Sequence, residues 1–310
     1  MNKIRVAFIG AGFITEYHAR ALSLIPDVEI VAWCARSPKS AEKRARQFGG
    51  EICSMAEILK RKDIEAILVC SPTHLHYEHV SSVLKSSKRV FCEKPFTRTL
   101  EEAKALMVLG QNEIYVGHVL RFFQQYSLAR EMVIQGELGN IYKIICRRLN
   151  SNPEGSQNWF NQMEKSGGVL LDLLIHDFDW LLWTFGQPES LKVQTFKDKD
   201  PKGWLHALVT FTWNKGMMAE VEGSWLHDRF EHHLLVESSK GRLKYSPEGN
   251  NLILETDRSF NKIPLDATDP YELQMRNFVG WLKGDQKPGV TLQEAYQALE
   301  ISLRALDTRS

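Results

Sequence analysis

No two cysteines in this 310-residue chain have the CxxC spacing of a zinc ribbon. The five that occur, at positions 34, 53, 70, 92 and 146, show no paired spacing. Cys34, Cys70 and Cys92 sit at or near the ends of apolar runs. They read as small buried thiols in a reducing cytosol. An excess of one charge is also lacking: 39 Lys and Arg stand against 38 Asp and Glu, for a net +1. Neither a nucleic acid nor an anionic membrane surface is therefore expected as a partner. No apolar run is long enough to cross a bilayer, because the richest stretch, around Val169 to Trp183, is interrupted by Asp172, His176, Asp177 and Asp179. No basic and apolar leader opens the chain, which predicts a cytoplasmic protein. Internal repeats and low-complexity tracts are absent too.

What is present describes a globular protein. Apolar residues make up 43% and charged residues 25%, and the length suffices for two domains. The first third alternates continuous apolar runs with helical patterns. Strands are expected at Ile4–Ile9, Val28–Cys34, Ile64–Cys70, Arg89–Cys92 and Ile114–Gly117. Between them fall helices at Thr15–Leu24, Ser40–Phe48, Met55–Leu59, Tyr77–Ser86 and Leu100–Leu109. Apolar strands joined by helices imply a parallel sheet covered on both faces.

After Gly117 the pattern changes. A helix at Tyr126–Gln135, a strand at Ile141–Arg148 and a helix at Leu170–Phe185 come first. Six alternating, half-exposed runs between Lys192 and Thr256 follow, then helices at Tyr271–Lys283 and Leu292–Leu306. The fold class is thus α/β: an N-terminal Rossmann domain, 1–119, and a C-terminal α+β domain, 120–310, with an open-faced, mostly antiparallel sheet. The boundary is placed near Gly117–Arg121. One face of that sheet is left for a second subunit, and Trp204, Trp213 and Trp225 suit such an interface as well as they suit a core.

The run Val6-Ala7-Phe8-Ile9-Gly10-Ala11-Gly12-Phe13-Ile14-Thr15 is a strand that turns through two glycines into a helix. Gly10 permits the tight turn, and Gly12 lets backbone approach a dinucleotide pyrophosphate at the helix N-terminus. Phe13 and Ile14 open that helix and belong to the same candidate site. Thr15 stands where a third glycine or alanine is usual, which predicts slightly looser helix-to-strand packing. The second strand ends in Cys34-Ala35-Arg36-Ser37, with no acid for a ribose 2′-hydroxyl. Arg36 and Ser37 suit a 2′-phosphate, so NADP is favoured over NAD. Ser71-Pro72-Thr73-His74-Leu75-His76 follows the third strand and should face the cofactor, with Pro72 and Thr73 lining it. His74, His76 and His79 lack a fixed acid partner, so they are read as capping or orienting the next helix and not as metal ligands.

Alcohol oxidation needs a base for the hydroxyl proton and a polar group for the developing charge on oxygen. Lys94 follows an apolar strand and precedes Pro95, which restricts the lysine backbone to extended geometry. Its ammonium suits a substrate oxygen. Glu93 either anchors that lysine or touches the nicotinamide ribose. Asp172, His176 and Asp179 are spaced by four and three in an otherwise apolar helix, which places them on about one face. His176 is the best proton acceptor near neutral pH. Asp172 orients the substrate or the imidazole, and Asp179 supports His176. Gly167 and Gly168 allow close backbone approach, and Trp159 with Phe160 either lines the substrate site or packs.

Gly10-Ala11-Gly12, Thr73-His74-Leu75-His76, Glu93-Lys94-Pro95, Gly117-His118…Arg121-Phe122 and Gly167-Gly168…Asp172…His176-Asp177-Phe178-Asp179 resemble the glucose–fructose oxidoreductase, inositol dehydrogenase and rhizopine catabolism (Gfo/Idh/MocA) family over almost the whole chain. The resemblance implies NAD(P)-dependent redox at a hydroxyl of a sugar, inositol or related polyol. It implies Lys94 as catalytic lysine, His176 as acid/base, Asp172 as its partner, Arg121 in the cofactor set, and a homodimer or homotetramer. Leu174 replaces a glycine frequent in the family, which would narrow the pocket, and Gln124 replaces a frequent histidine or proline. Two other outcomes stay open: a catalytically inactive NAD(P)-binding regulator, and a family member acting on a non-sugar substrate such as a dihydrodiol. Under the favoured reading Lys94 and His176 meet one substrate oxygen.

Overall fold

The computed structural model describes residues 3–153, 159–197, 204–245 and 248–308. The chain divides into two compact units, 1–119 with 268–296 and 120–267 with 297–310.

The first unit is built on β1 (Ile4–Ile9), α1 (Phe13–Ser23), β2 (Val28–Cys34), α2 (Pro38–Phe48), β3 (Glu51–Ile52), α3 (Met55–Lys60), β4 (Ala66–Val69), α4 (His76–Lys85), β5 (Arg89–Glu93), α5 (Leu100–Leu109) and β6 (Ile114–Gly117). The six strands pair in parallel in the order β3-β2-β1-β4-β5-β6. This is the doubly wound arrangement in which ligands lie beyond the strand carboxyl ends, where the order reverses beside β1. The strands carry continuous apolar runs because both faces are covered. Val6, Ala7, Phe8, Ile67, Leu68 and Phe91 have no exposed surface. Phe8 stacks on Trp33 with centroids 4.6 Å apart.

β3 was not legible, since only two exposed residues pair there. β4 starts two residues later than expected. The carbonyl of Ile64 accepts from Lys88 Nζ at 3.0 Å and that of Arg61 at 2.6 Å, so this stretch serves the lysine. Burial pushes the Lys88 pKa down. The sequence reading gave all of 120–310 to the second domain. In the structure the helix Pro270–Lys283 belongs with the first: Met275, Phe278 and Val279 are buried in its core, and Phe278 meets Phe91 edge-on at 5.4 Å. An amphipathic helix does not announce which sheet its apolar stripe will cover.

The second unit contains α6 (Gln124–Ile134), β7 (Ile141–Ser151), α7 (Met163–Ser166), α8 (Ile175–Phe185), β8 (Ser190–Lys197), β9 (Trp204–Thr212), β10 (Met218–Ser224), β11 (Leu226–Ser238), β12 (Gly241–Tyr245), β13 (Asn251–Glu255) and β14 (Phe260–Pro264). The helix Pro270–Lys283 is α9, and α10 is Leu292–Thr308. Eight strands run β14-β13-β12-β11-β7-β10-β9-β8, antiparallel except for the β7/β10 pair. β14 was missed because its residues are mostly exposed and carry no apolar alternation.

Alternation sorts the two faces of this sheet. Ile144, Cys146 and Arg148 of β7, with Ala219, Val221 and Gly223 of β10, point to the covered side. Lys143 and Arg147 point the other way and pair with Glu220 at 3.2 Å and Glu222 at 3.0 Å. The interface role weighed for the tryptophans does not hold for two of them. Trp213 and Trp225 are buried, and Trp213 Nε1 donates to the Gly186 carbonyl at 3.1 Å. The side chain of Trp204 lies outside the described residues.

The single helix expected at Leu170–Phe185 is two pieces, a π-helical turn over Val169–Leu173 followed by α8. Gly167 and Gly168 precede it at φ +72° and +62°, a conformation that disfavours any side chain. Leu174, at the join, is fully buried, and a Cβ on Gly223 would lie 2.6 Å from its Cδ2. The leucine therefore fills the space a β10 side chain would take.

Behind α8 lies a buried polar group of side chains. Arg148 Nε and Nη2 donate to Asp177 at 2.6 and 3.0 Å. The Tyr126 hydroxyl accepts from Arg148 at 3.4 Å and donates to His232 Nδ1 at 3.3 Å. Burial, then the Arg148 charge, pulls the His232 pKa down to about 3, so the ring is neutral. Below the ordinary histidine value of 6.5 the unfolded chain takes up a proton that the folded one refuses. Stability is then complete above pH 6.5 and falls by up to about 1.4 kcal/mol per unit toward pH 3. Urea unfolding across this window should show that fall, and His232→Phe should flatten it. An unchanged slope in the variant refutes the assignment.

Candidate active site

In the first unit the turn between β1 and α1 is set by contact. Gly10 has φ +112°, its N–H donates to the Cys34 carbonyl at 2.8 Å, and a Cβ there would stand 2.4 Å from the Cys70 carbonyl oxygen. Only glycine fits. Gly12, the N-cap of α1, provides no side-chain cap, and a Cβ on it would meet nothing within 4 Å. The first-turn N–H groups thus adjoin open space, and Phe13 is 75% exposed beside it. A pyrophosphate suits this cradle. Ile14 is half-buried. Thr15 is fully buried and its hydroxyl donates to the Gly10 carbonyl at 3.3 Å, so the looser packing expected there does not occur.

Arg36 is exposed just beyond β2, and Ser37 caps α2 by accepting from the Ser40 N–H at 3.4 Å. Beyond β4, Ser71 and Pro72 are partly exposed while Thr73 is buried. His76 is buried, with Nδ1 2.7 Å from the Pro95 carbonyl and Nε2 2.8 Å from the Ser71 carbonyl. Burial pushes its pKa down, against the pull of those two acceptors. His76 lies in the loop expected to face the cofactor, and its ring joins the loop after β4 to the Lys94–Pro95 segment. His79 Nδ1 lies 2.8 Å from Ser71 Oγ, which orients the same loop.

The end of β5 is the most constrained part of the unit. From Val90 to Thr97 every residue is buried except Lys94. Glu93 Oε1 lies 2.5 Å from His18 Nε2, and Oε2 accepts the Lys94 N–H at 3.0 Å. The carboxylate therefore anchors the lysine backbone, the first of the two roles expected for it. Burial alone would push the Glu93 carboxyl up, yet the His18 hydrogen bond and the charges of His18 and Lys94 hold it below its ordinary value. A Cβ on Gly117 would stand 2.7 Å from Phe91 Cζ and 3.3 Å from Oε1, so the glycine makes room chiefly for the Phe91 ring. His18 was missed. Its sequence signal was a histidine on the buried stripe of α1, between Thr15 and Leu22.

In the second unit the corresponding run is Val169 to Leu181, where every residue is buried except His176. Asp172 lies in the π-helical turn, so it and His176 are not two positions of one regular helix. Such turns recur at functional sites. Asp179 is 1% exposed and accepts from Arg121 Nε at 2.9 Å and Nη2 at 2.7 Å. Asp179 thus forms a bidentate pair with Arg121. Arg121 was placed with the cofactor residues. It is buried, holds Asp179, and sits 4.9 Å from the Trp183 ring centroid. Asp177, also missed, holds Arg148. Breaking either buried pair by removing one partner costs about 3–5 kcal/mol. Trp159 and Phe160 stack at 4.0 Å, and Phe160 meets Trp225 edge-on.

The two glycines of the cradle should behave oppositely. Gly10→Ala should lower the melting temperature by several degrees, roughly the effect of 1–3 kcal/mol of backbone strain. Gly12→Ala should melt within about 2 °C of the native protein yet bind dinucleotide about tenfold more weakly. Calorimetry with a fluorescence titration reads both, and equal effects from both variants would refute this division of roles.

Residues 4–114 match the family model described as oxidoreductase family, NAD-binding Rossmann fold. Residues 126–244 match the GFO/IDH/MocA C-terminal domain. An uncharacterized oxidoreductase of Synechocystis is 33% identical over 196 residues, 61% of this chain and 53% of the relative. The inositol 2-dehydrogenase of Rhizobium meliloti is 29% identical over 188 residues, 59% of this chain and 56% of the relative. The matched stretch thus spans a little over half the length of these curated relatives. A solved 3-ketoreductase from Actinomadura kijaniata, in complex with NADP and a TDP compound, has the same fold at a TM-score of 0.88 and 21% identity, over 99% of this chain and 98% of that one. Matches to both domain models, in order along one chain, make this protein a member of the Gfo/Idh/MocA oxidoreductase family.

Proposed function

We propose that this protein transfers hydride between a nicotinamide dinucleotide and a hydroxyl-bearing carbon of a sugar, inositol or related polyol. One observation carries the reading. In each of two otherwise buried runs, Val90–Thr97 and Val169–Leu181, the one side chain with access to solvent is ionisable: Lys94 in the first, His176 in the second. An ionisable side chain that reaches solvent from an otherwise buried run is a candidate for work on a ligand. The family descriptions and the relatives named above agree with this class of chemistry.

When bound, the nicotinamide accepts or supplies the hydride. The chain does the rest. The imidazole of His176 takes the hydroxyl proton on a ring nitrogen as the alcohol is oxidised, and returns it in the reverse direction. The Lys94 ammonium donates a hydrogen bond to a substrate oxygen and stabilises its developing negative charge. Glu93 keeps the lysine backbone in place through its N–H. Asp172, 9% exposed at the π-helical turn, orients substrate or imidazole. Ser71 and Pro72 line the cofactor beside the Gly10–Gly12 cradle. Arg36, exposed with no acid beside it at the end of β2, receives a 2′-phosphate, which favours NADP over NAD.

Polyols and sugars, myo-inositol first, should be screened with both nucleotides by the absorbance of reduced nicotinamide. With an active pair, Lys94→Ala and His176→Ala should each lower kcat about 10²-fold or more while nucleotide affinity stays near native. Arg36→Ala should weaken NADP about tenfold and leave NAD unchanged. Near-native turnover in either of the first two variants removes that residue from the mechanism, and equal NAD and NADP affinity in the native protein removes the 2′-phosphate site.

We assign the open face of the eight-stranded sheet to a second copy of this chain, as homodimer or within a homotetramer. Its charges pair within the face, as in Lys143–Glu220 and Arg147–Glu222, and half-buried Ile145, Leu208 and Leu235 lie among them. Sedimentation at micromolar concentration should show a dimer or larger species. A monomer refutes the assignment.

A further inference from the structure

Three of the five cysteines, Cys70, Cys92 and Cys146, are buried, and burial pushes each thiol well up. Such thiols are inert packing groups. Cys34 and Cys53 differ, because both are partly exposed. They also lie beside each other. β2 and β3 pair in parallel with Ala32 opposite Glu51 and Trp33 opposite Ile52, and the Cys53 N–H continues the ladder by donating to the Trp33 carbonyl at 2.9 Å. Carried one position further, this register sets Cys34 opposite Cys53. Residues in register on adjacent strands point to the same face, and their backbones stand about 4.8 Å apart. That spacing lies inside the roughly 4.4–6.8 Å that a disulfide accepts between Cα atoms.

Met55 and Cys53 both lie near the Cys34 thiol, and Cys53 lies near the Arg61 guanidinium. Arg61 is itself held by Asp63, with Nε and Nη2 at 3.1 and 2.7 Å. The pair also stands where a link would matter. Cys34 ends β2, its carbonyl accepts the Gly10 N–H of the cradle turn, and Arg36 follows two residues later.

We propose that Cys34 and Cys53 form a redox-modifiable dithiol, closed to an intramolecular disulfide by low-molecular-weight disulfides such as glutathione disulfide, and that closure weakens dinucleotide binding. The second half rests on the cofactor reading given above. The thiolate of Cys53 attacks one sulfur of the oxidant and releases the first thiolate. The thiolate of Cys34 then attacks Cys53 Sγ in the mixed disulfide and releases the second. Two electrons pass from the cysteine pair to the oxidant, whose S–S bond breaks as the protein's forms. The two protons from the cysteines end on the two small thiols. Burial raises the Cys34 thiol, which suits it to the second, intramolecular step, where proximity compensates for a small thiolate fraction.

The full-length native protein is treated with glutathione disulfide and followed by intact mass, peptide mapping and NADP titration. The expected product has lost two hydrogens, carries a Cys34–Cys53 link reversed by dithiothreitol, and binds NADP about tenfold more weakly. Cys34→Ser should stop at a glutathione adduct on Cys53. Bound NADP should slow the reaction in the native protein. Separate glutathione adducts on both cysteines, or a link that appears only in urea, overturns the dithiol. A link with unchanged NADP affinity overturns its effect on binding. If the reduced protein binds neither NADP nor NAD, the cofactor reading fails, and the peptide map still decides the dithiol.

Discussion

The carboxylate of Glu93 is the constraint on which the first unit's chemistry turns. It lies at the end of a buried strand, where an uncompensated charge is strongly disfavoured. Its two oxygens are satisfied from different directions, by the His18 imidazole on α1 and by the Lys94 N–H. Because α1 is the helix that opens at the Gly10–Gly12 turn, one buried hydrogen bond ties the dinucleotide cradle to the lysine. His76 closes a second link, from the Ser71 loop to Pro95. Cradle, loop and lysine thus form one rigid frame, and the flexible part of Lys94 is left as its only accessible group in that run.

The second unit uses the same economy with different residues. Asp177 and Asp179 lie two residues apart on α8 and each takes a bidentate arginine, Arg148 from β7 and Arg121 from the segment before α6. Fork-to-carboxylate pairs fix orientation as well as distance. With α8 held by both arginines, His176, one residue before Asp177, is presented from a helix that has little freedom to rotate. Leu174 seated over Gly223 fixes the same helix from its N-terminal end. In this chain the positioning is done by groups one to three residues removed from the accessible one.

Much of the fold was legible because the two periodicities differ. Continuous apolar runs such as Val6–Ile9 and Ile67–Val69 require cover on both faces, and alternation in β7 and β9 to β12 requires cover on one. The short exposed strands β3 and β14 carry no such pattern. The candidate residues Gly10, Gly12, Lys94, Asp172 and His176 stand out in the sequence because each breaks an apolar or regular pattern. The partners of the candidate site's buried members were not legible: Arg121 for Asp179, Arg148 for Asp177 and His18 for Glu93. A buried polar side chain is explained by its partner. Here the partners lie 75 residues apart for His18 and Glu93, and 58 for Arg121 and Asp179.

The amino-acid sequence by itself determined the two classes of sheet, the glycine turn and the chemical identity of the accessible groups. These follow from local backbone sterics and from hydrophobic period, which act within a few residues. Tertiary structure alone decided which carboxylate holds which cation, that α9 packs with the first sheet, that Val169–Leu173 winds as a π-helical turn, and that β3 pairs beside β2. Each depends on contacts between segments far apart in the chain, where burial makes one pairing far more favourable than its competitors and no local rule ranks them.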